Sequence, residues 1–87
     1  MRLTDEAILR ESRGKLILLV FNNKGTRAME VNESFAFLWN KFSGTDFTTE
    51  DLTSALVEEY GIDPESASVD ALSTISIWRD SLLLKEG

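Results

Sequence analysis

The stretch Val31-Asn-Glu-Ser-Phe-Ala-Phe-Leu-Trp-Asn-Lys-Phe-Ser-Gly44, followed by Phe47-Thr-Thr-Glu-Asp-Leu52 and Leu56-Val-Glu-Glu-Tyr60, sets out two helices with their start and stop signals. Asn32 has the short acceptor side chain of an N-cap. Phe35, Leu38, Trp39 and Phe42 then recur at helical spacing, and Gly44 falls just past the expected end. Thr48 with Asp51 three residues later has the form of a capping box. The helix it opens turns Leu52, Ala55 and Leu56 inward and ends at Tyr60-Gly61.

A third helix starts at Asp63-Pro64, where Asp caps and proline fits the first turn because its missing N–H has no intrahelical partner there anyway. Ala67, Ala71, Ile75, Trp78 and Leu82 form its inward stripe at spacings of three and four. Val69, Leu72, Ser76 and Arg79 lie on its shoulder. Upstream, Ala7–Arg10 and Lys15–Phe21 flank Glu11-Ser-Arg-Gly14, where glycine supplies the positive φ of a tight hairpin. After a second turn at Asn22-Asn-Lys-Gly25, residues 26–31 alternate, with Arg27, Met29 and Val31 on one face and Ala28 and Glu30 on the other. The expectation is an α+β fold: strands at about 7–10, 15–21 and 26–31 in a three-stranded antiparallel meander, then helices at about 33–43, 49–60 and 64–81 in a three-helix bundle. The apolar run Leu16–Phe21 marks the central strand, and the charged third strand is an edge.

With 87 residues, 43% hydrophobic and 28% charged, the chain fits one globular domain with one core. No apolar run approaches the roughly 20 residues that span a bilayer, and Met1-Arg-Leu-Thr-Asp-Glu6 lacks the character of a signal peptide, so a cytoplasmic protein is expected. Cysteine and histidine are absent. Disulfides and thiolate chemistry are excluded, along with the commonest general base and metal ligand, and no cofactor is expected. The carboxylate pairs Glu50-Asp51 and Glu58-Glu59 are neighbours in sequence and so do not face each other on a helix; they read as solvated surface rather than an acid–base pair. Net charge is −6, with seven basic and five acidic residues through Lys41 and two basic against ten acidic beyond it. That acidic back half suits solvation or a basic partner surface, and opposes a DNA-reading third helix, which offers Glu65, Asp70 and Asp80 against Arg79 alone.

What remains is binding. An edge strand presents unpaired N–H and C=O groups that an extended peptide can satisfy whatever its side chains, while neighbouring pockets choose among peptides. Proline at Met29 probes such pairing if that amide faces the open edge. Such an edge can also pair with its own copy.

Asn32-Glu33-Ser34 through Trp39, Gly44 with Thr48, Leu56 with Tyr60, and Asp63-Pro64-Glu65 through Asp70, in that order, resemble the coenzyme PQQ synthesis protein D family over roughly residues 29–83. The resemblance implies a winged-helix-like arrangement in which a precursor's leader peptide adds as a fourth strand against the third strand, in a cleft closed by the third helix. It implies further that the module presents this peptide to a modifying enzyme, such as a radical S-adenosylmethionine protein. Candidate peptide contacts are Arg27, Ala28, Met29, Glu30 and Val31 on the strand, and Val69, Leu72, Ser73, Ile75, Ser76 and Arg79 on the helix. Met29, Val31 and Ile75 suit the core better than a pocket, the cleft needing only the strand's backbone, and Val69 and Leu72 equally suit packing on the sheet. The chain departs from the family in carrying Leu82 where glycine is usual and Thr74 where a bulky apolar residue is usual. A winged-helix nucleic-acid binder and a protein–protein scaffold are the alternatives.

Overall fold

The structure is a computed structural model that describes residues 1–22 and 25–85. The elements in order are β1 (Arg2–Leu3), β2 (Ala7–Ser12), β3 (Lys15–Asn22), β4 (Gly25–Val31), α1 (Glu33–Phe42), α2 (Thr49–Tyr60), α3 (Pro64–Asp80) and β5 (Leu84–Lys85). The three-stranded antiparallel sheet has the order β2-β3-β4, and a separate two-stranded sheet pairs β1 with β5. The first turn is tight: Arg13 and Gly14 both take positive φ, 53° and 78°, the two-residue geometry whose twist matches that of the flanking strands. In the second expected turn, residues 23 and 24 lie outside the described residues; the flanking pair is Asn22↔Gly25.

The helix caps follow the sequence. The Asn32 side chain accepts from the Phe35 N–H at 2.8 Å. Thr48 and Asp51 form the reciprocal box, with the Asp51 N–H donating to Thr48 Oγ1 at 3.2 Å and the Thr48 N–H to the Asp51 carboxylate at 2.9 Å. Asp63 accepts from the N–H groups of Glu65 and Ser66.

The sheet's inner face and the three helices enclose a core centred on Trp78, which is fully buried. Its ring meets Phe35 at 5.9 Å, Trp39 at 6.2 Å and Phe47 at 5.7 Å, all near perpendicular. This edge-to-face geometry brings the positive rim of one ring to the negative face of another. Helix α1 and the α1–α2 connection thereby converge on one side chain of α3. Leu18 and Val20 of β3 are buried below it, and Met29 and Val31 pack against the same cluster.

Two features go beyond the local pattern. The first is β1–β5, two residues each, which no periodicity announces. The N-terminal segment is held by long-range bonds: the Met1 ammonium donates to the Phe47 carbonyl at 2.7 Å, and the Thr4 N–H to the Leu83 carbonyl at 2.8 Å. Lys85 reaches Asp5 at 2.8 Å, and that hydrogen bond and charge lower the Asp5 pKa.

The second feature is Leu82, which does not continue the buried stripe. Helix α3 stops at Asp80, and Leu82 enters the left-handed region at φ 60° with 75% of its surface exposed. The Leu83 N–H bonds back to the Trp78 carbonyl at 2.7 Å and the Leu82 N–H to the Arg79 carbonyl at 3.1 Å. These are the paired bonds of a Schellman end, which ordinarily places glycine where Leu82 stands. Leu83 occupies the inward position instead and is fully buried.

A Cβ in the left-handed conformation costs about 1 kcal/mol, and an exposed Leu82 recovers little of it by packing. Leu82→Gly should therefore stabilise the fold by about 1 kcal/mol, raising Tm by roughly 4–8 °C in thermal unfolding followed by circular dichroism. Trp78→Ala should do the reverse and remove about 3–5 kcal/mol in urea titration.

Candidate functional site

The open border of the sheet belongs to β4. Among the described residues nothing pairs with its outer edge, since the C-terminal strand β5 is engaged with β1. Which of its backbone groups are free follows from register. Asn22 and Gly25 are partners across a two-residue gap, which makes them a mutually hydrogen-bonded pair. Alternation then makes Val20↔Arg27, Leu18↔Met29 and Leu16↔Val31 hydrogen-bonded pairs as well. The N–H and C=O groups of Arg27, Met29 and Val31 thus point into the sheet, and those of Thr26, Ala28 and Glu30 point outward. The Met29 amide consequently does not face the edge. Proline there would break the bond to Leu18, and Ala28 is the position that tests the border.

The side chains sort the other way. Arg27, Met29 and Val31 share the inner face with Leu16, Leu18 and Val20 of β3, whereas Ala28 and Glu30 lie on the outer face beside Leu19 and Ile17. Met29 and Val31 are half-buried against the core, and Arg27 is exposed. The Arg27 guanidinium donates to the Ser81 carbonyl at the C-cap of α3. That bond ties the start of β4 to the C-cap of α3.

On α3, Val69 and Leu72 are 63% and 56% exposed, and with Ser76 and Arg79 they make one open line along the helix. Ser73 is exposed beside it. Ile75, at 4% exposure, belongs to the core and supports the helix from beneath. Thr74, half-buried, also lies off the open line.

The two ends of this region differ in charge. Near Val31 a hollow of about 620 Å³ is lined by Glu11, Glu30, Glu33 and Glu59, with Leu16, Phe37 and Tyr60 among its walls and Lys15 as its cation. Lys15 lies 3.5 Å from Glu30. Phe37 and Tyr60 meet edge to face at 5.7 Å. Burial, then the Glu33 and Glu59 carboxylates, raise the Tyr60 phenol above its ordinary pKa of 10.0. Beyond the end of α3 a second hollow of about 550 Å³ is walled by Met1, Arg79, Leu82, Leu84 and Lys85. Sequence reasoning missed this second hollow, because Met1 and the β5 residues Leu84 and Lys85 come to it from opposite ends of the chain. The absence of glycine at position 82 was the signal available.

Among the described residues no group of three His, Cys, Asp or Glu side chains could hold a metal ion, and no helix is long and apolar enough to cross a membrane.

Comparison with known proteins adds three findings. The family model of coenzyme PQQ synthesis protein D (PqqD) matches residues 18–84. A search of curated proteins gives no match. The solved structure of TbiB1 in complex with the TbiA(beta) leader peptide superposes with a TM-score of 0.77 at 16% identity, covering 100% of this chain and 98% of that one. At such identity the likeness speaks to the fold.

The register leads to a test that needs no ligand. In hydrogen exchange followed by NMR, the amides of Thr26, Ala28 and Glu30 should exchange at least about tenfold faster than those of Arg27, Met29 and Val31. The opposite alternation would place the other set of groups on the border.

Proposed function

Because the chain belongs to the coenzyme PQQ synthesis protein D family, we propose that it is a non-catalytic recognition module that captures the leader of a ribosomally made precursor by strand addition to β4 and presents it to a modifying enzyme. The observation that carries this reading is the unpaired border of β4 beside the end of α3. The leader peptide bound to TbiB1, a protein of the same fold, supports it.

The magnitudes are consistent with such a role. Thr26, Ala28 and Glu30 each offer one donor and one acceptor, up to six hydrogen bonds at about 1 kcal/mol net apiece. Ordering a flexible peptide costs about 2 to 5 kcal/mol, so pairing alone leaves weak binding. Two apolar anchors at about 1.5 to 3 kcal/mol each bring the total near −8 kcal/mol, the micromolar range. Their positions follow from the pleat. Peptide residues opposite Arg27, Met29 and Val31 turn their side chains to the inner face, toward α3, and those opposite Ala28 and Glu30 turn outward. Anchors therefore recur at every second residue, with Val69 and Leu72 the open apolar side chains on α3 to receive them. The backbone supplies affinity and the α3 wall supplies choice.

The proposed partners are the precursor's leader and the enzyme that modifies it, with a cytoplasmic setting. The acidic character of α3 argues against nucleic acid, since phosphate contacts require lysine or arginine.

Titration with a labelled leader peptide, taken from a precursor gene adjoining that of this chain, should give a dissociation constant of about micromolar and shift the amides of residues 26–31 in NMR. Ala28→Pro removes an outward donor and leaves the β3 ladder intact, so it should weaken binding at least about thirtyfold with little loss of stability. Unchanged affinity in that variant would refute strand addition at β4. Binding to duplex DNA with no response to peptide would favour a winged-helix nucleic-acid binder.

A further inference from the structure

We propose that the hollow beyond the C-terminal end of α3, walled by Met1, Arg79, Leu82, Leu84 and Lys85, is a second subsite for the peptide, taking an apolar side chain adjacent to an acidic one. This rests on the strand-addition reading and extends it past the paired segment.

Four observations converge here. Leu82 is a large apolar side chain, 75% exposed, in a left-handed backbone conformation that glycine would adopt without strain. Strain of this kind persists where the surroundings impose it, and it gathers at binding sites. Leu82 contributes little to the core, because Leu83 already fills the inward position. Its open surface faces a concavity in which Leu84 and Met1 add apolar area.

Charge then decides what accompanies the apolar group. The molecule carries a net charge of −6, yet Arg27, Arg79 and Lys85 gather at this end of α3. Lys85 is matched by Asp5 at 2.8 Å. Arg27 holds only a backbone carbonyl, and among the described residues neither it nor Arg79 has a carboxylate partner. Among the described residues Arg79 lines the hollow without a carboxylate partner, and a peptide carboxylate there gains both charge and planar hydrogen-bonding. At the other end of β4 the lining carries Glu11, Glu30, Glu33 and Glu59, which repel the same group. An acidic residue is consequently placed at one end of the border only. The subsite is also continuous with that border, since the carbonyl held by Arg27 belongs to Ser81, the residue before Leu82.

The substitutions at the two positions that probe this subsite leave the fold in place. Leu82→Gly suits the backbone better than the native residue, so it should be more stable while binding less well, a combination that unfolding cannot imitate. Arg79 is exposed, and its replacement disturbs no core contact.

The probe is a phage-displayed library of random dodecapeptides selected on the immobilised full chain. Wild-type protein should enrich peptides that carry Asp or Glu next to Leu, Ile, Met or Phe beside an alternating segment. Individual selected peptides should bind about tenfold more weakly to Leu82→Gly and to Arg79→Ala. Selection on Arg79→Glu should replace the acidic residue with Lys or Arg. Peptides that bind wild type, Leu82→Gly and Arg79→Ala equally, yet lose binding to Ala28→Pro, would overturn the subsite and leave strand addition standing. No enrichment over bare support would overturn both.

Discussion

The burial of Trp78 is the constraint on which the rest of the structure depends. A single indole with no exposed surface fixes α3 to α1 through Phe35 and Trp39, and to the α1–α2 connection through Phe47. Because Trp78 lies in the last turn of α3, it also determines where that helix stops and where its C-cap carbonyl sits. Its indole N–H is buried without a hydrogen-bond partner among the described residues, a cost on the order of 1–3 kcal/mol. Three rings packed near perpendicular to the indole, with their large apolar area withdrawn from water, offset that cost.

From this fixed point the open border follows. The helices cover the inner face of the sheet, where Leu18 and Val20 are buried, and they leave the flank of β4 uncovered. Among the described residues the C-terminal strand is engaged elsewhere, by its pairing with β1 and by the Asp5–Lys85 pair. Stability and vacancy thus have a common origin. A protein that held its tail against β4 would have a complete sheet and nothing to offer an extended peptide.

Leu82 shows how the same region combines strain with exposure. The backbone bonds that end α3 demand a left-handed residue, the buried Leu83 fixes where it falls, and the sequence supplies leucine in place of glycine. Local preference and tertiary demand disagree at this position, and such disagreements concentrate where a surface serves something other than folding.

The sequence by itself determined the three helices, their caps, and the meander with its central strand. Each of these signals is local: Asn32 to Phe35, Thr48 to Asp51 and Asp63 to Ser66 lie three residues apart, and the apolar periods of 3.6 and 2 need only a short window. The edge strand was legible for the same reason, and so was the place of Val69, Leu72, Ser76 and Arg79 on the shoulder of α3; that Val69 and Leu72 are exposed and not packed on the sheet is decided by the tertiary structure. Ile75 was harder to place, because a helical stripe and its shoulder differ by a rotation that only packing resolves. The tertiary structure alone decided that Met29 turns its amide inward, that β1 and β5 pair, that Leu82 leaves the stripe, and that Arg27 meets Ser81. The last of these joins residues 54 apart, and the Asp5–Lys85 pair spans 80. Contacts at such separations carry no local signature, since they exist only once the core around Trp78 has brought distant segments together.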